Sequence, residues 1–373
     1  MTSLAAPKVS TPRAAGGPPE RRGVARDGVK LMVAGQEEDA VRHTTFSHIG
    51  DALVPGDLLV INVSATGPAS LEGRAEDGSP IRLHISSPLG GNLWTVEPRQ
   101  PVGVGSERIL DFAGGVISLA GGASAVLFAA DSRSPRLWVA ELQGVKDLGR
   151  YLERHGQPVR YSHTDNRWPL DDYQSVYANQ PGSVEMPSAG RPFTTGLITS
   201  LMAAGVLFAP LVLHAGLASF EAGERPDAER YRVPEATAAL VNHVRGEGGR
   251  VVAVGTTSVR ALETVTDSRG QVHPGNGLTE LVVTPQRGVR AVDGLITGWH
   301  DAGASHLDLV SAVAGADLLD ECYHEARRHG YLWHEFGDSL LVMASRRQTS
   351  DGSGNQRSDS ADAGSGDDSS PPV

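Results

Sequence analysis

The hydrophobic period changes partway along this chain, and that change limits what the chain can fold into. From about Pro55 to Val139 the apolar runs are short and broken by Gly, Pro and Asp. Examples are Asp57-Leu-Leu-Val-Ile-Asn62, Ile81-Arg-Leu-His-Ile85, Leu93-Trp-Thr-Val96, Gly115-Val-Ile-Ser-Leu119, Ser124-Ala-Val-Leu-Phe128 and Arg136-Leu-Trp-Val-Ala140. Such runs between turn signals predict an all-β unit, a small barrel or sandwich. Gly103-Val-Gly-Ser-Glu-Arg108 reads as a turn, because it lacks the third glycine and the strand–turn–helix setting of a dinucleotide site. From Asp171 onward α and β signals alternate. The pattern predicts a Thr-capped helix over Thr194–Gly205, a strand at Leu211–Leu213 and a helix over Pro234–Glu247 that opens on proline. A strand at Arg250–Val254, a helix from near Ser258, and strands at Leu281–Val283 and Leu295–Thr297 follow. A long helix over Ser305–Arg328 and a strand at Ser339–Val342 close the pattern. This is the signature of a sheet covered by helices, and such sheets bind ligands at the loops after their strand C-terminal ends.

Composition narrows the setting. Cys322 is the single cysteine of 373 residues, so an internal disulfide or thiolate cluster is excluded and a reducing cytoplasm fits. It stands beside Asp320 and Glu321, which would raise its pKa, and it reads as a packed helix residue. No apolar run approaches the ~18 to 20 residues that span a bilayer, and no apolar stretch follows Lys8 and Arg13 as a secretory signal would require. The expectation is a soluble, cytoplasmic, monomeric protein. The net charge of −11 supplies no long-range attraction to nucleic acid. Yet 30 of the 33 basic residues are Arg, the better bidentate phosphate binder, so a local patch stays open. Residues 1–22, rich in Pro, Ala and Gly, and 346–373, rich in Ser, Gly and Asp, are expected to be disordered tails.

Polar loops that end strands between Gly182 and His300 are the candidates for a reaction centre. In Val251-Val-Ala-Val-Gly255-Thr-Thr-Ser-Val-Arg260-Ala-Leu-Glu263 a buried strand meets a glycine turn, three hydroxyls and a helix. Thr257 or Ser258 would cap that helix, its free N–H groups would form an anion site, and Arg260 would add a bidentate donor. An ordinary capped helix with a surface Arg is the competing account. His214 and His300 each follow an apolar run, a placement that suits acid–base work or a satisfied structural histidine. No His-Glu-x-x-His pattern occurs and the other histidines lack ligand spacing, so no metal is expected. The small-residue loop around Ser188 could bring backbone close to a ligand.

Together these segments carry a resemblance. Pro181-Gly-Ser-Val-Glu-Met-Pro-Ser-Ala-Gly-Arg-Pro-Phe-Thr194, Leu213-His-Ala-Gly-Leu-Ala-Ser-Phe220, Ala253-Val-Gly-Thr-Thr-Ser-Val-Arg-Ala-Leu-Glu263, Asp293-Gly-Leu-Ile-Thr-Gly-Trp-His300 and Phe336-Gly-Asp-Ser-Leu-Leu-Val342 resemble the S-adenosylmethionine:tRNA ribosyltransferase-isomerase family of queuosine biosynthesis. Pro55-Gly-Asp-Leu-Leu-Val-Ile-Asn62, Pro68-Ala69 and Tyr173-Gln-Ser-Val-Tyr-Ala178 also match, so the likeness covers about residues 23 to 343. The resemblance implies an α/β barrel-like domain (residues 23–70 and 154–345) carrying an inserted small β-barrel (71–153). It implies transfer of the ribosyl part of S-adenosylmethionine to a 7-aminomethyl-7-deazaguanine in the tRNA anticodon loop. Adenine and methionine leave, and the sugar is isomerised to the epoxy-cyclopentane of epoxyqueuosine. S-Adenosylmethionine is then a co-substrate, with no tightly bound cofactor.

That chemistry needs a base for the carbon beside the sulfonium, an acid for departing adenine and an anion site. His214 and His300 are the candidates for base and acid. Thr256, Thr257, Ser258 and Arg260 suit the anion site, Phe193 or Trp299 the sulfonium by cation–π contact, and Ser188 and Glu229 further substrate contact. The sequence departs from the family in polar positions. Asn62-Val-Ser-Ala65 stands for Asn-Asp-Thr-Arg, Ser70 for an Arg, Pro192 for a His and Gly298 for an Asn. Asp227 stands where the family has His, and Asp301-Ala302 replaces Leu-Pro. Lost Arg and gained Asp weaken phosphate attraction, so a paralogue with a small-molecule acceptor, or a binding protein without turnover, is the alternative.

Overall fold

The computed structural model describes residues 13–35, 41–109, 111–131, 134–217, 228–301 and 306–344. The larger sheet has nine strands: β1 (Lys30–Gly35), β2 (Arg42–Thr45), β3 (Leu58–Asn62), β4 (Leu207–Leu213), β5 (Glu229–Val233), β6 (Val251–Val254), β7 (Gly275–Thr279), β8 (Gly294–Thr297) and β9 (Ser339–Met343). Their spatial order is β7-β5-β4-β3-β6-β8-β9-β1-β2. At its centre β4, β3, β6 and β8 run parallel, whereas β9 is antiparallel to β8. All five residues of β3 are buried, as a parallel strand covered on both faces must be. Leu58 and Val60 join one core layer with Val251 and Ala253, under helices α3 (Glu235–Gly246), α4 (Thr256–Thr264), α5 (His306–Ala314) and α6 (Ala316–Arg328). Leu59 and Ile61 face the other layer with Val252, Val254, Phe46, Phe193 and α2 (Thr195–Ala203). The period of two along each strand supplies both layers.

The second sheet is an antiparallel barrel. Strands Ser70–Arg74, Pro80–Gly90, Leu93–Val102, Gly115–Leu119, Ser124–Ala130 and Trp138–Gln143 form a ring, closed where Trp138–Gln143 pairs with Leu93–Val102. Leu71, Leu83, Ile85, Val96, Ile117 and Leu127 fill it. The other face of strand Pro80–Gly90 buries Arg82, His84 and Ser86, which a barrel standing in solvent would expose. Helix α1 (Leu148–His155) leads back to the large sheet, and Ser70 and Gln157 exchange two backbone bonds of 2.9 Å at the junction. The α/β class with a small all-β barrel, expected from the sequence, is therefore present.

Four expectations need correction. Asp57–Asn62 belongs to the centre of the large sheet rather than to the β unit, because its neighbours β4 and β6 lie far away in sequence. Leu281–Val283 is not a strand; β7 ends at Thr279, whose hydroxyl takes the Leu281 N–H and halts the ladder. The helix expected over Ser305–Arg328 is two helices, because Gly315 sits at φ 83° between α5 and α6, and Ser305 lies outside the described residues. Residues 13–22 are ordered, not tail. Arg13–Ala14 pairs in parallel with Leu332–Trp333, and Ala15 joins Tyr173, Met186 and Phe336. Their small size, read as a mark of disorder, serves close packing: a Cβ on Gly17 would come within 2.5 Å of the Trp168 ring. The remainder of both expected tails lies outside the described residues. Gly103 does sit in a turn, at φ 55°. Among the described residues no helix is long and apolar enough to cross a membrane.

Candidate active site

Because β4, β3, β6 and β8 are parallel, their C-terminal ends place Leu213, Asn62, Val254 and Thr297 along one edge of the sheet. The loops that follow form a continuous polar row there. Asn62 ties three of them together. Its amide nitrogen donates to Leu213 O (2.8 Å) and Thr257 Oγ1 (3.2 Å), and its amide oxygen accepts from Leu213 N (3.0 Å) and Ser64 N (3.1 Å). Such a fully used amide, 3% exposed, works as a rigid splint.

The splint fixes Ser64 beside His214. Ser64 Oγ lies 2.8 Å from His214 Nδ1 and 2.6 Å from Ser183 Oγ, which also accepts the Ala215 N–H at 3.0 Å. Gly182 makes the arrangement possible, since a Cβ there would lie 2.5 Å from His214 Nδ1. Burial and the nearby Arg230 hold the His214 pKa below the usual histidine value, so the ring is neutral at pH 7. With Nδ1–H assigned as donor to Ser64, Nε2 is left as a proton acceptor.

Helix α4 begins on Gly255, not on a capping Thr257 or Ser258. Gly255 takes φ 89°, a conformation that favours glycine, and Ser258 is fully buried with its hydroxyl donated back to Val254 O at 2.8 Å. Ser258 therefore faces the core and not a ligand. Thr256 and Thr257 stay at the first turn, where helix N–H groups lack internal partners. Arg260 is no surface residue. Nη1 is bonded to Glu229, Nε donates to Leu281 O at 3.0 Å, and Nη2 is buried without a partner. Glu229 also accepts the Gly216 N–H at 2.9 Å, so Arg260 and Glu229 brace the loop behind His214.

The row continues over β8. His300 Nε2 lies 3.2 Å from Thr297 Oγ1, its backbone N donates to Tyr323 Oη at 3.1 Å, and its ring stacks on His306 at 4.7 Å. Burial, then His306 and His334, push its pKa well below the usual value, and His306 is pushed down to about 4 by burial and Arg260. His300 is thus a neutral hydrogen-bonding group rather than a cationic acid. Phe193 and Trp299, expected against a sulfonium, are 0% and 1% exposed. Phe193 packs edge-on to Phe46, and Trp299 sits among Tyr323, Tyr331 and Trp333, so neither reaches a ligand. Their sequence neighbours are polar, so nothing local in the sequence signalled the core position. Ser188 lines a cleft with Gly298, His334 and Glu335.

Several polar residues here escaped sequence reasoning. His163 Nε2 lies 2.7 Å from Glu335, and that bond raises its pKa despite the opposing effect of burial. Glu185 accepts a hydrogen bond from the Tyr161 hydroxyl, and burial raises its pKa to about 7. His163 and Glu335 are 172 residues apart, so no spacing could announce them. Cys322 is buried, and burial followed by Glu321 pushes its pKa up to about 12, which makes it inert packing. One group the spacing argument missed has metal-ligand chemistry: ligand atoms of His43, Glu325 and His329 lie within 4.8 Å of one another. The two imidazoles stack at 4.0 Å and 28°, however, so both in-plane lone pairs reach one ion only if that stack opens.

Comparison with known proteins places the chain in a family. The queuosine biosynthesis protein family matches residues 9–342. An S-adenosylmethionine:tRNA ribosyltransferase-isomerase of Symbiobacterium thermophilum is 37% identical over 330 residues, covering 85% of this chain and 94% of that protein. One from Pelobacter propionicus is 33% identical over 329 residues, covering 85% and 93%. The crystal structure of the S-adenosylmethionine tRNA ribosyltransferase of Thermotoga maritima matches with a TM-score of 0.50 at 30% identity, over 88% of this chain and 96% of that one. The chain belongs to the queuosine biosynthesis protein family.

Proposed function

We propose that this protein transfers and isomerises the ribosyl moiety of S-adenosylmethionine onto a 7-aminomethyl-7-deazaguanine in tRNA, releasing adenine and methionine. The observation that carries the reading is the Asn62–Ser64–Ser183–His214 network at the C-terminal edge of the parallel strands. It holds a neutral imidazole in one orientation beside the first turn of α4. His214 Nε2 takes the proton from the carbon next to the sulfonium, whose positive charge acidifies it. Thr256, Thr257 and the neighbouring N–H groups receive a carboxylate, and Arg260 with Glu229 keeps that loop in place. Adenine must leave with a proton, and neutral His300 is a poor source. The reaction belongs in the cytoplasm, where tRNA is modified.

A second reading has a specific observation behind it. Ala65 and Ser70 stand where the family resemblance implies arginines, and Asp301 places a carboxylate on the rim, 66% exposed. A small-molecule acceptor fits those changes. The test is to incubate the protein with S-adenosylmethionine, with and without tRNA bearing the aminomethyl-deazaguanine, and to measure adenine. The proposal expects release that depends on tRNA. Release independent of tRNA supports the second reading, and none under any condition defeats both.

A further inference from the structure

Beside the His214 network the same sheet edge carries a ladder of rings and acids that the transfer chemistry does not use. Tyr161, His163 and His334 stack in sequence, at 6.1 Å and 30° and then at 4.1 Å and 12°. Each ring holds one carboxylate: Tyr161 that of Glu185, His163 that of Glu335 at 2.7 Å, and His334 that of Asp301 at 3.7 Å. The ladder ends on the cleft lined by Ser188 and Gly298, where His334 and Glu335 each keep 25% of their side chains exposed, and His163, stacked on His334, keeps 18%. His334 sits at φ 71°, a costly conformation for a residue with a Cβ, so the surrounding structure must enforce it. Deeper in, His84 meets Tyr161 edge-on at 6.2 Å, is fully buried, and has no partner on either ring nitrogen. Of the barrel cations near His84, Arg99 and Arg136 both pair with Glu97, at 2.7 and 3.1 Å, and Arg82 reaches Glu72 at 3.7 Å but keeps Nε and Nη1 buried without a partner.

Stacked rings take up flat heterocycles, and carboxylates accept ring N–H and ammonium donors. Three carboxylates repel phosphate. We infer that this ladder is the acceptor subsite, in which Glu185 and Glu335 hold a purine-like ring bearing a cationic amine. The inference rests on the transferase reading and adds the residues that choose the acceptor.

The test is binding of the free base 7-aminomethyl-7-deazaguanine, with guanine as the amine-free control, measured calorimetrically on wild type, Glu335→Gln and Glu185→Gln. A tRNA stem-loop carrying each base forms a second arm. The expected result is at least a tenfold preference for the aminomethyl base, largely lost in either variant, with both variants folded and S-adenosylmethionine affinity unchanged. Preference seen only in the stem-loop arm supports the subsite and identifies tRNA as the source of the base. No preference in either arm overturns the inference, as does a preference that survives in both folded variants. Adenine release by wild type separates the two claims. Release without base preference sinks the subsite alone, and preference without release sinks the transferase reading alone.

Discussion

Gly182→Ala is the sharpest probe of the His214 network. The added Cβ would lie 2.5 Å from His214 Nδ1, 2.6 Å from Cε1 and 2.8 Å from Cγ, where ordinary contact begins at 3.4 Å. The ring or the loop must therefore yield by about 0.9 Å. The loop is held by the Ser64–Ser183 bond of 2.6 Å and the Val184 N to Ala215 O bond of 2.7 Å. The ring is held on that side by one bond to Ser64, so the ring moves. Overpacking of this kind costs about 1 to 3 kcal/mol, a fall of a few °C in Tm. A catalytic group displaced by about 1 Å loses roughly a hundredfold in rate. The expected result is a folded protein with kcat for adenine release down about a hundredfold, close to that of His214→Ala. Scanning fluorimetry and a timed adenine assay measure both. Wild-type turnover from a folded Gly182→Ala protein would refute the assignment of His214 as base.

Other outcomes follow from the same geometry. Asn62→Ala strands the Leu213 and Ser64 N–H groups and should cost roughly 3 kcal/mol in a urea titration; a loss below 1 kcal/mol would show that the splint is dispensable. Arg250→Ala leaves Asp57, 1% exposed, without its 2.9 Å partner and should cost about 3 to 5 kcal/mol. That pair lies at the opposite edge of the sheet, so turnover per folded molecule should not change. His214 is depressed below the usual value, so kcat/KM should hold as pH falls to 6.5 and decline only below it; an acidic limb above 6.5 assigns the base elsewhere. Glu185 rises from an ordinary 4.5 to about 7, among Tyr161, Glu335, Glu97 and Arg136. Its folded form keeps the proton longer than the unfolded chain, so wild type should lose stability relative to Glu185→Gln as pH climbs from about 4.5 to about 7. A difference that stays flat across that window would contradict the burial.

The sequence announced the parts of this molecule that are local. The apolar run Val251–Val254, its glycine and the helix after it are visible because one short stretch contains the strand, the turn and the cap. His214 and His300 could be read as loop residues for the same reason. What they touch could not. Ser64 and Ser183 are 119 residues apart, and the register that joins them depends on pairing far along the chain. Ring stacks such as His163 with His334 arise only where separate loops meet at one sheet edge. The aromatic residues misled in the opposite direction. Phe193 and Trp299 flank polar motifs, yet the two-sided sheet needs bulk on both faces and takes it from them.

The paired backbone bonds between Ser70 and Gln157 bring the two ends of the barrel segment together where it meets the large sheet. The chain leaves the parent sheet and comes back at neighbouring points, so a single genetic insertion could have delivered the whole barrel without rewiring any strand around it. Growth or shrinkage of its hairpins is then absorbed away from that junction. The acids and arginines on its inward wall can be exchanged as a cassette, which lets one transferase chassis try new acceptors while the His214 network beneath stays untouched.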